Sequence, residues 1–145
     1  MELEITAFHP DRKGIRKVLG DLEAEIMELI WARPQGAGTT VRDIFGVLYQ
    51  RRQLAYTTVM STMSRLAKKK LLQVEKRDQT YIYTPTLTES EFISWLVSHI
   101  LEDLFVSFAG PTQAGIDRLS DPNASTRARQ LLEEITRRRT EEEGR

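Results

Sequence analysis

The first half of the chain shows three apolar stripes of helical period, one after another. Leu22, Ile26, Leu29 and Ile30 stand at i, i+4, i+7 and i+8 and predict a helix over about 21–32, with Glu23, Glu25 and Glu28 on the remaining face or its edges. Pro34-Gln35-Gly36-Ala37-Gly38 breaks the pattern. Thr40 then reads as the cap of a second helix over about 41–51, with Val41, Ile44, Phe45 and Leu48 as its stripe and Asp43 as a weak variant of the capping box. A third helix, over about 55–69, places Val59, Met63 and Leu66 on one side, with Tyr56 and Ala67 at the edge. Its other side collects Thr57, Thr58, Ser61, Ser64, Arg65 and Lys68, and no acid stands between Ala55 and Lys70. A merely solvated helix face more often mixes Glu with Lys at i, i+4.

The period then changes. Residues 71–77 and 81–84 have strand character and are separated by Asp78-Gln79-Thr80, which predicts a hairpin that Pro85 ends. Three helices followed by a two-stranded hairpin, with two closely connected helices in the middle, is the order of a winged helix-turn-helix, in which the second helix of the pair enters the DNA major groove. The fold class expected is therefore mainly α with a small β-hairpin: a winged helix over 19–87, preceded by a loosely ordered arm over 1–18 and followed by a helical dimerisation region over 88–145.

In that last region a helix over about 89–108 contains Phe92, Ile93, Trp95, Leu96, Val97, Ile100, Leu101, Leu104, Phe105 and Val106. These cover far more than the roughly 100° stripe of a helix resting on one core. So small a DNA-binding unit offers only one surface to bury them, so a second subunit is inferred. Gly110-Pro111 is expected to break this helix before a short one over about 112–119. Asp121-Pro122 reads as an N-cap with proline at the first helical position of a last helix to about Arg139, whose stripe is Ala128, Leu131, Leu132 and Ile135. Arg137, Arg138 and Arg139 face Glu141, Glu142 and Glu143 at i, i+4, exposed pairs of small worth in a tail expected to fray. The dimer interface is assigned to Phe92, Trp95, Leu96, Ile100, Leu104, Leu131, Leu132 and Ile135.

Composition narrows the function. The 145 residues (16.7 kDa) allow one ordinary domain or a small domain with an appendage. Hydrophobic residues make up 40% and charged ones 29%, no apolar run approaches the roughly 18–20 residues of a membrane span, and no secretory-type stretch opens the chain, so a cytoplasmic location without membrane insertion is expected. The absence of cysteine excludes disulfides, thiolate metal sites and a cysteine nucleophile. No Gly-rich phosphate loop, Gly-x-Ser-x-Gly or histidine pair at metal spacing is present, and Glu102-Asp103 is the sole carboxylate pair on an apolar helix face, so neither enzyme nor cofactor is expected. His99 and Asp103 at i, i+4 are too few for a metal site on one chain.

Net charge is zero, from 21 basic and 21 acidic residues, but unevenly spread. Residues 1–50 hold six basic and eight acidic side chains, residues 51–81 eight and two, and residues 82–145 seven and eleven. The basic segment coincides with the third helix and hairpin, the footprint of a polyanion contact.

Leu19-Gly20-Asp21-Leu22-Glu23-Ala24-Glu25-Ile26-Met27-Glu28-Leu29-Ile30-Trp31, then Leu54 through Leu66 with Thr57-Thr58-Val59-Met60 inside it, then Tyr81-Ile82-Tyr83-Thr84-Pro85, resemble the BlaI/MecI/CopY family of bacterial transcriptional repressors. The resemblance covers roughly residues 19–92. It implies a homodimer on a palindromic double-stranded DNA operator, with Thr57, Thr58, Ser61 and Arg65 on the recognition-helix face and Lys76, Arg77 and Tyr81 on the wing; Tyr56 and Lys68 of the same helix complete the expected DNA-contacting set. Hydroxyls suit base edges or phosphates, and cations suit phosphates. The chain departs from the pattern in three ways. It lacks the C-terminal cysteines of copper-sensing members. It has no Asn-Phe bond of the kind cleaved in penicillinase repressors, Ile116-Asp117 standing near that position, so a membrane sensor protease stays open as a partner. Lys70 and the glycine-free Arg77-Asp78-Gln79-Thr80 stand where members commonly carry glycine. The alternative function is a small-ligand-responsive winged-helix regulator with a pocket near Trp95, His99 and Phe105 at the dimer interface.

Overall fold

The computed structural model describes residues 2–120 and 122–144, with the side chains of Ser120, Pro122, Ala124, Ser125, Arg127, Ala128, Leu132 and Arg139 left out of the description. These residues form two compact units, 1–97 and 98–145.

In the first unit a 3₁₀ turn, Gly14–Lys17, leads into α1 (Asp21–Trp31), α2 (Val41–Arg51), α3 (Tyr56–Lys68), β1 (Leu72–Arg77), β2 (Thr80–Pro85) and the start of α4 (Glu89–Ser107). The strands pair antiparallel with Lys76 opposite Tyr81 and Val74 opposite Tyr83. Thr39 adds a one-residue bridge to Tyr83, exchanging both backbone hydrogen bonds at 3.0 and 2.8 Å. Three helices and a hairpin in this order form a winged helix. Strand β2 runs through Pro85 rather than stopping before it; as the last residue, proline costs the ladder little.

The core draws from every element: Ile26, Met27 and Ile30 of α1, Ile44 and Leu48 of α2, Val59, Met63 and Leu66 of α3, then Leu71, Leu72, Tyr83 and Phe92. Helix α1 differs from its expected wheel, because Glu23 is buried with the core face. Its Oε1 accepts the Gly20 N–H at 3.0 Å and its Oε2 pairs with Lys69 Nζ at 2.7 Å, so both oxygens are satisfied and the buried charge is tolerated.

The expected loose arm is in fact docked. Leu3, Ile5, Val18 and Leu19 are buried, and the Glu4 N–H donates to the Lys69 carbonyl, one of the orphan acceptors at the end of α3. The Leu3-Glu4-Ile5 alternation that buries two side chains on one face is too short to register as a strand in the sequence.

The helix boundaries have local causes. At α2, Thr40 Oγ1 accepts the Asp43 N–H and Asp43 Oδ2 accepts the Thr40 N–H, both at 3.1 Å, a complete capping box. Thr88 and Glu91 form a second box at α4. Helix α3 ends in a Schellman motif: Leu71 N–H donates to the Leu66 carbonyl and Lys70 N–H to that of Ala67, each at 3.0 Å. The motif needs a left-handed residue, and Lys70 takes it at φ 71°. Asp78 (φ 46°) and Gln79 (φ 71°) do the same at the hairpin turn, the two positive-φ positions of a type I′ turn. Glycine matters most at Gly38, where a methyl group would overlap Ile82 Cγ2.

In the second unit α4 finishes and α5 (Ala109–Ser120) and α6 (Pro122–Glu143) follow. Gly110-Pro111 does not open a gap. Phe108 alone separates α4 from α5, and Pro111 falls in the first turn of α5, where its missing N–H is not needed. Helix α6 continues past Arg139 to Glu143, and Arg138 pairs back with Glu134 at 2.6 Å rather than forward with the terminal acids. The expected cap Asp121 lies outside the described residues. No helix among the described residues is long and apolar enough to cross a membrane.

Lys70→Gly should raise stability by about 0.5–1 kcal/mol in urea unfolding, because relief of the left-handed strain exceeds the extra freedom of the unfolded glycine; a destabilised variant would mean that the lysine is not strained there. Thr40→Ala should cost about 1 kcal/mol at neutral pH. Asp43 is held below the usual carboxylate range, first by the Thr40 N–H, so the folded state binds fewer protons than the unfolded one. The contribution is complete above the ordinary aspartate value and fades as pH falls through it toward the lower folded value. Asp43→Asn, which keeps an acceptor for the Thr40 N–H but cannot titrate, should therefore lose less stability than wild type between about pH 5 and pH 3, read from unfolding curves across that range.

Candidate nucleic-acid interface

The arrangement of α3 follows from its two kinds of side chain. Val59, Thr62, Met63 and Leu66 are buried, and Thr62 satisfies its hydroxyl on the Thr58 carbonyl at 2.8 Å. The opposite side leaves Thr57, Thr58, Ser61, Ser64, Arg65 and Lys68 exposed. Ser61 Oγ donates to the Thr58 carbonyl at 3.1 Å, which keeps its lone pairs outward. Arg65 reaches Thr62 Oγ1 at 3.4 Å and, among the described residues, pairs with no acid; at this end of α3 it is Lys69 that pairs with an acid of the first helix.

The eight basic residues of 51–81 divide into two sets. Arg51 and Arg52 both pair with Glu25, Lys69 with Glu23, and Arg77 with Glu75 at 2.9 Å. Among the described residues Arg65, Lys68, Lys70 and Lys76 make no ion pair. Half of the positive segment is thus neutralised by structure, and the bare half lies along α3, just after it and on the hairpin.

Tyr56 packs its ring edge-on against Phe45 at 5.3 Å, so it braces the turn between α2 and α3 while staying partly exposed. On the hairpin, Lys76 Nζ lies 5.8 Å from the centre of the Tyr81 ring. The cross-strand register puts Val74, Lys76, Tyr81 and Tyr83 on one face of the hairpin and Glu75, Arg77 and Ile82 on the other. Tyr81 therefore shares a groove with Tyr56, whereas Arg77 lies on the far face and its hydrogen bond holds the Glu75 carboxyl below its ordinary range. The same groove is lined by Arg42 and Met60, both exposed and both missed in the sequence reading. Arg42 belongs to the first turn of α2, outside the basic segment, and Met60 is a large apolar residue amid hydroxyls. Its departure from the polar pattern was the available signal.

The residues expected at a subunit interface are placed differently from one another. Phe92 and Leu96 are buried within the first unit, and Phe92 lies 5.5 Å from the Trp31 ring, whose indole N–H donates to the Leu87 carbonyl at 3.0 Å. They are core residues of the protomer, which corrects their assignment to an intersubunit surface. Trp95 is half-buried and stacks on Phe92 at 5.9 Å. In the second unit Ile100 is half-buried, Leu104, Leu131 and Ile135 are exposed, and the side chain of Leu132 lies outside the described residues. His99 and Asp103 are exposed, and no cluster of three or more metal-binding side chains occurs among the described residues.

Comparison with known proteins places the chain in a family. The family model described as penicillinase repressor matches residues 19–137. The transcriptional regulator BlaI of Mycobacterium tuberculosis is 34% identical over 119 residues, covering 79% of this chain and 83% of that protein. An uncharacterized 16.5 kDa protein of Latilactobacillus sakei is 29% identical over 94 residues, 65% of this chain and 62% of that one. Among solved structures, the solution structure of the DNA binding domain of the repressor BlaI is 26% identical, with a TM-score of 0.45 over 55% of this chain and 93% of that one. The chain belongs to the penicillinase repressor family and is a BlaI-like transcriptional repressor with a winged-helix DNA-binding domain.

Proposed function

We propose that the protein represses transcription as a homodimer, two copies of α3 reading the half-sites of a palindromic operator one or two helical turns apart. The observation that carries the reading is the outer face of α3: hydroxyls toward its N-terminal end, Arg65 and Lys68 toward its C-terminal end, all exposed, with no acid among them. Thr57, Thr58 and Ser61 supply base-edge and thymine-methyl contacts, Arg65 and Lys68 hold phosphates, and Lys76 with Tyr81 extends the contact along the hairpin.

The dimer is supported by the second unit taken by itself. Leu101, Leu104, Phe105, Val106, Phe108, Leu119, Leu131 and Ile135 are exposed there, Val106 to 87%. That is far more apolar surface than scattered exposure on a monomer accounts for, and a second copy presents the same surface in return.

If six to eight phosphates are neutralised per dimer, the logarithm of the binding constant should fall against that of salt concentration with a slope of about −5 to −7. Arg65→Ala should weaken binding to a duplex selected by the wild-type protein by roughly 10- to 100-fold with unchanged circular dichroism; undiminished binding removes Arg65 from the contact set. Leu104→Asp should sediment as a folded monomer and bind the same duplex at least about 100-fold more weakly, since the second half-site is no longer engaged through a tether. A dimeric Leu104→Asp protein would place the interface elsewhere.

A further inference from the structure

The groove between α3 and the hairpin has a volume of about 850 Å³ and is open to solvent along its length. Tyr56, Met60, Val74 and Tyr81 give it apolar and aromatic surface, and neutral polar side chains complete the lining. No carboxylate lines it, although the protein carries as many acids as bases. Arg42 stands at its edge, exposed and, among the described residues, without an ion pair or a side-chain hydrogen bond. The adjacent Asp43 does not claim it: its carboxylate is engaged by the Thr40 N–H and lies 4.0 Å from Arg33. On the hairpin side, Lys76 over the Tyr81 ring supplies a second cation without an ion pair.

A neutral, partly apolar lining with Arg42 in it, Lys76 beside it at Tyr81 and no acid fits a chain that alternates uncharged, weakly polar units with anions at regular spacing. A DNA strand is such a chain, with deoxyribose between phosphates. We infer that this groove receives one strand's sugar–phosphate backbone and that Arg42 anchors a phosphate there. Tyr56, Met60 and Tyr81 lie against the sugars, and Lys76 holds the strand from the hairpin side. The inference rests on the DNA-binding reading above and extends it to a residue outside α3 and the hairpin. A phosphate contact carries no sequence information, so Arg42 contributes affinity and register but not discrimination.

The test compares full-length wild type, Arg42→Ala and Arg42→Lys on two probes: a duplex selected by the wild-type protein from random sequence, and an unselected duplex of equal length. Arg42→Ala should weaken binding to both by the same factor, about tenfold at physiological salt. It should also make the salt slope shallower by about 0.9 for each protomer bound, while Arg42→Lys keeps the wild-type slope. An unchanged slope in Arg42→Ala overturns the anchor. So does a loss confined to the selected duplex, which would make Arg42 a base reader. Failure of the wider reading would be visible earlier and separately, as a wild-type slope shallower than about −2 or the absence of any selected duplex.

Discussion

The exposed chemistry of this repressor depends on how the acids of α1 distribute the cations around α3. Glu23 takes Lys69 through one oxygen and the start of its own helix through the other, and Glu25 takes Arg51 and Arg52. Helix α3 is thereby tied at its C-terminal end to the body of the domain without use of Arg65 or Lys68. Burying Glu23 is favourable only with both partners present, because a half-paired carboxylate at 7% exposure would bear an uncompensated desolvation cost. The tie thus fixes which cations stay bare as well as where the helix sits.

That division explains what the sequence could disclose. The helices, the hairpin and the sided character of α3 were legible, because periods of 3.6 and 2 are local properties. The surplus of six positive charges in residues 51–81 was also legible, but its partition was not. Whether a cation is structural or free depends on an acid 46 positions away, as for Lys69 and Glu23, or two positions away on the same strand face, as for Arg77 and Glu75. Arg42 was missed for the converse reason: it stands alone in a neutral stretch, and only the tertiary approach of α2 to the hairpin gives it neighbours that matter. The docked N-terminal segment was missed because the alternation of Leu3, Glu4 and Ile5 is too short to leave a periodic signature.

The glycine-free turns show a similar limit. Lys70 and Gln79 hold left-handed conformations that sequence rules give chiefly to Gly, while Asp78 beside Gln79 is an accepted residue for its turn position. The conformations persist because their surroundings over-determine them. Leu66 and Leu71 are both buried around the Schellman turn, and the hairpin register is locked by Val74 opposite Tyr83 and by the Thr39 bridge. Local strain is accepted where packing on either side leaves the chain one path. Turn chemistry was therefore a fair guide to where the turns are, and a poor guide to which residues occupy them.

Helix α4 carries the same reasoning to the other end of the chain. Read as one wheel, its apolar residues point to a single extensive interface. The structure assigns them to different work: Phe92 and Leu96 complete the core of the first unit beside Trp31, whereas Leu101, Leu104, Phe105 and Val106 belong to the second unit and are exposed. A helix that serves two environments in succession shows no narrow stripe when averaged over its length, because each half has its own inward direction. In the proposed dimer the second half, with α5 and α6, is the part offered to a partner, while Phe92 and Leu96 of the first half are already committed to the core. Loss of the partner would then leave the winged helix folded, and the fall in DNA affinity would come from losing the second half-site rather than from damage to the first.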